Sequence, residues 1–187
     1  MDEMFSITET GRSVDVKKPF ARQTATELLW LINEHLLPLR PQTLLEIGTA
    51  SGGTSLILSK IFSYSQVYGI DLTDALHSNT LRNCENHHMI IGNSCEKGTI
   101  EKLRKVCTQF DFILIDGDHS EVGVLSDLKN YEPMLRKGGL LVFHDVCHEA
   151  PAGIKSIYYE KIKPKLQGSF EYYVRSDNNG YGLWYKK

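Results

Sequence analysis

From Thr43 onward, short apolar and β-branched runs alternate with longer stretches whose apolar positions recur at helical spacing. That alternation predicts βαβ units and a mostly parallel sheet, an α/β fold. Strands are expected at Thr43–Ile47, Gln66–Ile70, His88–Ile91, Asp111–Ile115 and Leu140–Phe143, and helices at Gly53–Phe62, Leu76–Asn83, Glu96–Val106 and Ser120–Leu135. The tail differs. SFEYYVRSDNNGYGLWYKK holds two aromatic, β-branched runs around Asp177-Asn178-Asn179-Gly180, a hairpin signal, so an antiparallel pair should close one sheet edge. Upstream, FARQTATELLWLINEHLLPL carries Leu28, Leu29, Leu31, Ile32, Leu36 and Leu37 as an apolar helical stripe, ended by Pro38 and Pro41. Met1 to Pro19 has little pattern and reads either as an unordered segment or as a lid over a ligand.

Composition narrows the class. The 187 residues suffice for one well-cored domain, and no repeat or linker divides them. A net charge of −2 offers no basic field, which argues against nucleic acid or an anionic membrane as partner. No apolar run approaches bilayer length. Cys84, Cys95, Cys107 and Cys147 form no C-x-x-C pair and follow no secretory signal, so a cytoplasmic protein without disulfide or zinc site is expected. The apolar first helix and the aromatic tail make a homodimer conceivable.

Chemistry gathers where predicted strands end. In LLEIGTASGGTS, the residues Glu46, Gly48, Thr49, Ala50, Ser51, Gly52 and Gly53 join the first strand to its helix, where a ligand can approach bare backbone. A G-x-G-x-x-G fingerprint would need glycine at Ala50, so the loop suits a nucleoside better than a pyrophosphate. Asp71 ends the next strand and is placed to bind two ribose hydroxyls; standing alone it would be an ordinary helix cap. Gly92-Asn93-Ser94 ends the third strand, lining an adenine pocket or starting a helix.

Two further strand ends carry acids and imidazoles. The strands ending before Asp116 and His144 are joined by one crossover helix; as neighbours they bring Asp116 to His144 and Asp145. Two carboxylates and one imidazole could hold a divalent cation, magnesium by the oxygens or manganese by the imidazole. The plainer alternative has Asp116 or Asp118 capping the helix near Ser120 and His144 satisfied on a backbone carbonyl. His87 and His88, adjacent in a strand, cannot serve one site, and His35, His77 and His148 lack ligand spacing, although His148 lies near the rim. An iron-hydroxylase His-x-Asp is not met, since His144 and Asp145 are adjacent.

The stations Glu46-Ile-Gly-Thr-Ala-Ser-Gly-Gly, Gly69-Ile-Asp71-Leu, Gly92-Asn93-Ser94, Ile115-Asp-Gly-Asp-His-Ser120 and Lys137-Gly-Gly-Leu-Leu-Val-Phe-His-Asp145 occur in strand order over roughly residues 43–147. In this the chain resembles class I S-adenosylmethionine-dependent methyltransferases. Within them it is similar to the small-molecule O-methyltransferase branch that includes cephalosporin hydroxylase-like and macrolide sugar O-methyltransferases. The resemblance implies a Rossmann-like, seven-stranded sheet of order 3-2-1-4-5-7-6 in one domain, with a cofactor core over 43–147 flanked by segments 1–42 and 148–187. It implies that Glu46 to Gly53 wraps the methionine part of S-adenosyl-L-methionine, that Asp71 holds the ribose, and that Asn93 and Ser94 flank the adenine, with Asp116 closing the cofactor site. It implies metal stations at Asp116 and Asp145, while His144 stands where the metal-dependent branch has an acid. A small-molecule hydroxyl would accept the methyl group, with His119 as first choice of base and Asp118 as second. A metal-independent methyltransferase, or a binding module that retains the fold, is the competing expectation.

Overall fold

A computed structural model describes residues 24–74, 79–174 and 179–187. The Met1–Pro19 segment, His77 and the Asp177-Asn178 half of the expected turn lie outside the described residues. Seven strands form one sheet: β1 (Thr43–Ile47), β2 (Gln66–Asp71), β3 (His87–Ile91), β4 (Phe110–Ile115), β5 (Leu135–His144), β6 (Phe170–Tyr172) and β7 (Tyr181–Tyr185). Their order is β3-β2-β1-β4-β5-β7-β6, as the resemblance implied. β1 to β5 run parallel, and β7 lies antiparallel between β5 and β6.

Period-two alternation in the strands sorts the core into two layers. Leu44, Phe112, Leu114, Leu140 and Val142 face one side with Leu28, Leu31, Ile32 and Leu36 of the first helix and Ile57, Leu58 and Phe62 of the second. Leu45, Ile47, Ile113, Ile115, Leu141 and Phe143 face the other, against Ile100, Leu103, Val124, Leu128, Tyr131, Tyr158 and Ile162. Helices therefore cover both faces, which is why the central strands read as continuous apolar runs rather than as alternating ones.

The boundaries differ from expectation where proline intervenes. The helix expected over Ser120–Leu135 spans Glu121–Tyr131, because Pro133 has no N–H to give the preceding turn; a short 3₁₀ turn, Glu132–Met134, follows. Leu135 already belongs to β5, where it pairs with Phe110. The first helix opens as Ala25–Trp30, widens into a π segment over Leu31–Leu36 and closes as Leu37–Leu39, with Pro38 inside the final turn and Arg40 left-handed. Of its expected stripe, Leu29 and Leu37 face outward. The helix expected over Leu76–Asn83 is seen as Asn79–Arg82. Among the described residues no helix is long and apolar enough to cross a membrane.

Candidate active site

Strand register assembles the site. Ile47 pairs with both Ile70 and Ile115, and Ile115 pairs with Phe143. The next residues, Gly48, Asp116 and His144, therefore emerge side by side at the carboxyl rim of the sheet, where open α/β folds bind ligands. A cavity of about 830 Å³ opens there. Of the residues expected to meet the cofactor, Glu46, Gly48, Thr49, Ala50, Gly53, Asp71, Asn93, Ser94 and Asp116 line it. Ser51 and Gly52 do not; Gly52, left-handed at φ +86°, turns the chain into the helix Gly53–Ile61.

The end lined by Gly48, Asp71 and Asn93 is shaped by main chain. Gly48 has φ +89°, and a Cβ there would stand 2.1 Å from the Asp116 carbonyl oxygen, so only glycine lets β1 and β4 close on one another at this point. Its N–H donates to the Ile70 carbonyl at 2.8 Å. Asp71 accepts the Ala50 N–H at 2.8 Å and the Thr73 N–H at 3.2 Å, so its carboxylate is fixed facing the cavity by two loops. Asn93 and Ser94 do not cap a helix, since Glu96 precedes the helix Lys97–Val106; Asn93 Oδ1 instead accepts the Cys95 N–H at 2.9 Å. Beneath them Glu46 is buried and accepts the Ser55 hydroxyl. Burial pushes its carboxyl up to about 8, against the pull of Ser55 and with the charges of Asp116 and Asp71 adding to the rise.

The opposite end is built of side chains. His144 Nδ1 lies 3.1 Å from Asp116 Oδ1 and 3.2 Å from Asp145 Oδ2. His119 Nε2 lies 3.2 Å from the same Asp145 oxygen and 4.0 Å from Asp116 Oδ1. Asp145 is left-handed at φ +59°, a conformation an aspartate tolerates better than most residues, and this turns its carboxylate back onto the cluster. Burial disfavours the charge on His144, but Asp116 and Asp145 outweigh it and hold the imidazole well above its ordinary range. His119 is raised to about 10 by hydrogen bonding to Asp116 and Asp145, against its desolvation. Asp145 is lowered: its desolvation is overcome by the charge of His144 and the hydrogen bond from His119.

Asp116, His144 and Asp145 each present a ligand atom within 4.8 Å of the others, among the described residues. Two oxygens and a nitrogen at this spacing fit a divalent cation. Among the described residues the buried His144 Nε2 has no hydrogen-bond partner, so hydrogen bonds orient the imidazole from its Nδ1 side. Asp116 does not cap a helix. That role falls to Ser120, whose Oγ accepts the Gly123 N–H at 3.0 Å, while Asp118 accepts the Ser120 N–H at 2.8 Å and its hydroxyl at 2.7 Å. These two bonds lower the Asp118 pKa and commit both of its oxygens. His119 is held differently: its Nδ1–H donates to the Pro151 carbonyl at 3.1 Å, which leaves Nε2 facing the carboxylates.

Residues 45–146 match the family described as methyltransferase domain. The chain belongs to the methyltransferase domain family. Its sheet order and antiparallel final strand are those of the class I S-adenosylmethionine-dependent methyltransferase fold. A rhamnosyl O-methyltransferase of Mycobacterium leprae (strain TN) is 24% identical over 123 residues, covering 63% of this methyltransferase chain and 54% of the relative. An O-methyltransferase from Bacillus cereus, solved in complex with SAH, superposes with TM-score 0.66 at 15% identity, over 87% of this chain and 81% of that one. The MycE methyltransferase of mycinamycin biosynthesis, solved with Mg and SAH, gives TM-score 0.59 at 19% identity, over 83% and 49%. The methyltransferase chain spans about half the length, or less, of the curated relatives it matches.

Further residues complete the wall. Thr54, Ile70, Leu72, Gly117, Pro151, Ala152 and Asn179 also line the cavity, as does His148, which carried no assignment. Pro151 and Ala152 lie in the segment after β5. Asn179 sat in what reads as a plain turn.

Proposed function

We propose that the chain transfers the methyl group of S-adenosylmethionine to a hydroxyl of a small molecule, a sugar hydroxyl foremost, with a divalent cation at Asp116, His144 and Asp145. One observation carries the reading: a single cavity has a nucleoside-type wall of Gly48, Asp71, Asn93 and Ser94 at one end and the two-carboxylate, two-imidazole cluster at the other. The names of the rhamnosyl O-methyltransferases and the Mg and SAH in the MycE structure support it by analogy.

In this reading Asp71 binds the ribose hydroxyls, and Asn93 and Ser94 the adenine edge. Glu46 and the Gly48–Gly53 loop meet the methionine moiety. S-adenosylmethionine supplies an already activated methyl on a sulfonium, and a divalent cation supplies positive charge that lowers the pKa of an adjacent hydroxyl. His119 is the base. Its Nδ1–H is tied to Pro151, and its Nε2 faces the carboxylates that raise its pKa to about 10; a cation held by Asp116 and Asp145 would offset those charges and let Nε2 lose its proton before taking that of the acceptor, with Asp145, 3.2 Å away, then stabilising the imidazolium. Asp118, with both oxygens on Ser120, braces the helix start. As the hydroxyl proton passes to His119, the oxygen takes the methyl and the sulfonium leaves as a neutral thioether.

A second reading keeps the cofactor and dispenses with metal. His144 already bridges Asp116 and Asp145, and its imidazolium neutralises them in place of an ion. The two readings part on one experiment. Methyl transfer from labelled S-adenosylmethionine to a methyl hexopyranoside is measured before and after chelation and after manganese is restored. The metal reading expects loss and recovery; unchanged turnover favours the second, and a chain that does not bind S-adenosylhomocysteine fails both.

A further inference from the structure

We infer that Asn179 reads a second hydroxyl of a polyhydroxylated acceptor, a vicinal diol such as a sugar ring presents, and that buried Glu27 on the first helix is the residue that positions it. This rests on the O-methyltransferase reading above.

Asn179 lines the same cavity as His119, His144 and Asp145, and it arrives there from a different part of the sheet, the connection between β6 and β7. Its carbonyl accepts the Cys147 N–H at 3.0 Å, which stitches that connection to the segment following Asp145. Glu27 is fully buried, and its two carboxylate oxygens accept the Val174 N–H at 3.1 Å and the Gly180 N–H at 3.2 Å. The two bonds pin the connection on either side of Asn179. A buried carboxylate is costly, and glutamine of the same shape would bring an NH₂ group where two N–H donors already point. Only an acceptor at both oxygens suits the place. On the strand side, Tyr172 pairs with Tyr181 and stacks on Trp30 with ring centroids 3.5 Å apart, so the first helix fixes this connection by two independent contacts.

The chemistry of the wall sets the acceptor class. At the far end the cavity is lined by His119, His148, Asn179 and the small Pro151 and Ala152. A primary amide presents donor and acceptor at fixed spacing, which suits a hydroxyl beside the one being methylated.

The test uses the full chain with S-adenosylmethionine and two probes, methyl α-rhamnopyranoside and cyclohexanol, which has a single hydroxyl. Wild type should methylate the pyranoside with the higher kcat/KM. Asn179→Ala should raise the pyranoside KM about tenfold, the loss of one hydrogen bond to substrate, with kcat and the S-adenosylhomocysteine Kd nearly unchanged. Glu27→Gln should raise the same KM and speed amide hydrogen exchange at Val174 and Gly180, and combining it with Asn179→Ala should add little. The inference is overturned if either variant leaves KM unmoved, if cofactor affinity falls as far as acceptor affinity, if cyclohexanol is preferred, or if a wild-type chain that binds S-adenosylhomocysteine methylates neither probe. Failure to bind S-adenosylhomocysteine would overturn the underlying reading instead.

Discussion

At the nucleoside end of the cavity the wall is largely main chain: Gly48 pressed against the Asp116 carbonyl, and Ala50 and Thr73 donating backbone N–H groups to Asp71. At the other end it is side chain, with His119 and His144 converging on one oxygen of Asp145. The first end derives its shape from what glycine permits and tolerates little change in backbone. The second derives its shape from mutual charge neutralisation, so each member depends on the others. Substitutions at the two ends should therefore fail in different ways: by lost stability and cofactor affinity at the first, by lost turnover at the second.

The largest separation is expected for Asp116→Ala. Methyl transfer should fall about a thousandfold, roughly 4 kcal/mol, while the S-adenosylhomocysteine Kd from calorimetry moves less than about threefold. Equal losses in both would merge the two ends into one. Gly48→Ala should show the opposite pattern, a destabilisation of about 3 kcal/mol or more in urea unfolding, because its Cβ meets backbone and its φ of +89° disfavours any side chain.

Glu46→Gln probes the buried acid beneath the nucleoside end. Folding raises the Glu46 pKa to about 8, above its unfolded value, so the folded chain keeps a proton that the unfolded chain releases. Its contribution is present in full below the unfolded pKa and is lost as pH rises through about 8. The variant should therefore be the more stable protein at pH 9, by on the order of 2–3 kcal/mol, with the gap closing toward pH 5. A constant difference across that range would show that Glu46 does not titrate there. The smallest effect is at Ser120→Ala, about 1 kcal/mol of stability from the lost cap, with a modest fall in turnover as Asp118 loses its hydroxyl partner.

The same contrast governs what the sequence reveals. Strands and layers were legible because adjacent apolar residues such as Leu44 and Leu45, or Phe112 and Ile113, make short continuous runs that announce a strand buried on both faces. Asp71, Asp116, His144 and Asp145 were legible because each stands where an apolar run stops, and parallel register carries such positions to one rim. The different settings of Asp118 and His119 were not legible. They turn on the Ser120 hydroxyl, and on a carbonyl at Pro151 that lies 32 residues further along the chain from His119. Asn179 and Glu27 were hidden for the same reason: Glu27 meets Val174 across 147 residues, and no local pattern marks a glutamate that folding will bury. Pro133 moved a helix end through its missing N–H group.

Whether one cavity joins a cofactor end to a separate cation end is decided by titrating Mn²⁺ into the full chain and following the free ion by electron paramagnetic resonance. Wild type and Asp71→Ala should each take up one equivalent, with only Asp71→Ala losing S-adenosylhomocysteine affinity, whereas Asp116→Ala should take up none and still bind S-adenosylhomocysteine. A wild-type chain that leaves Mn²⁺ free, or an Asp116→Ala chain that binds it as well as wild type, would contradict that arrangement.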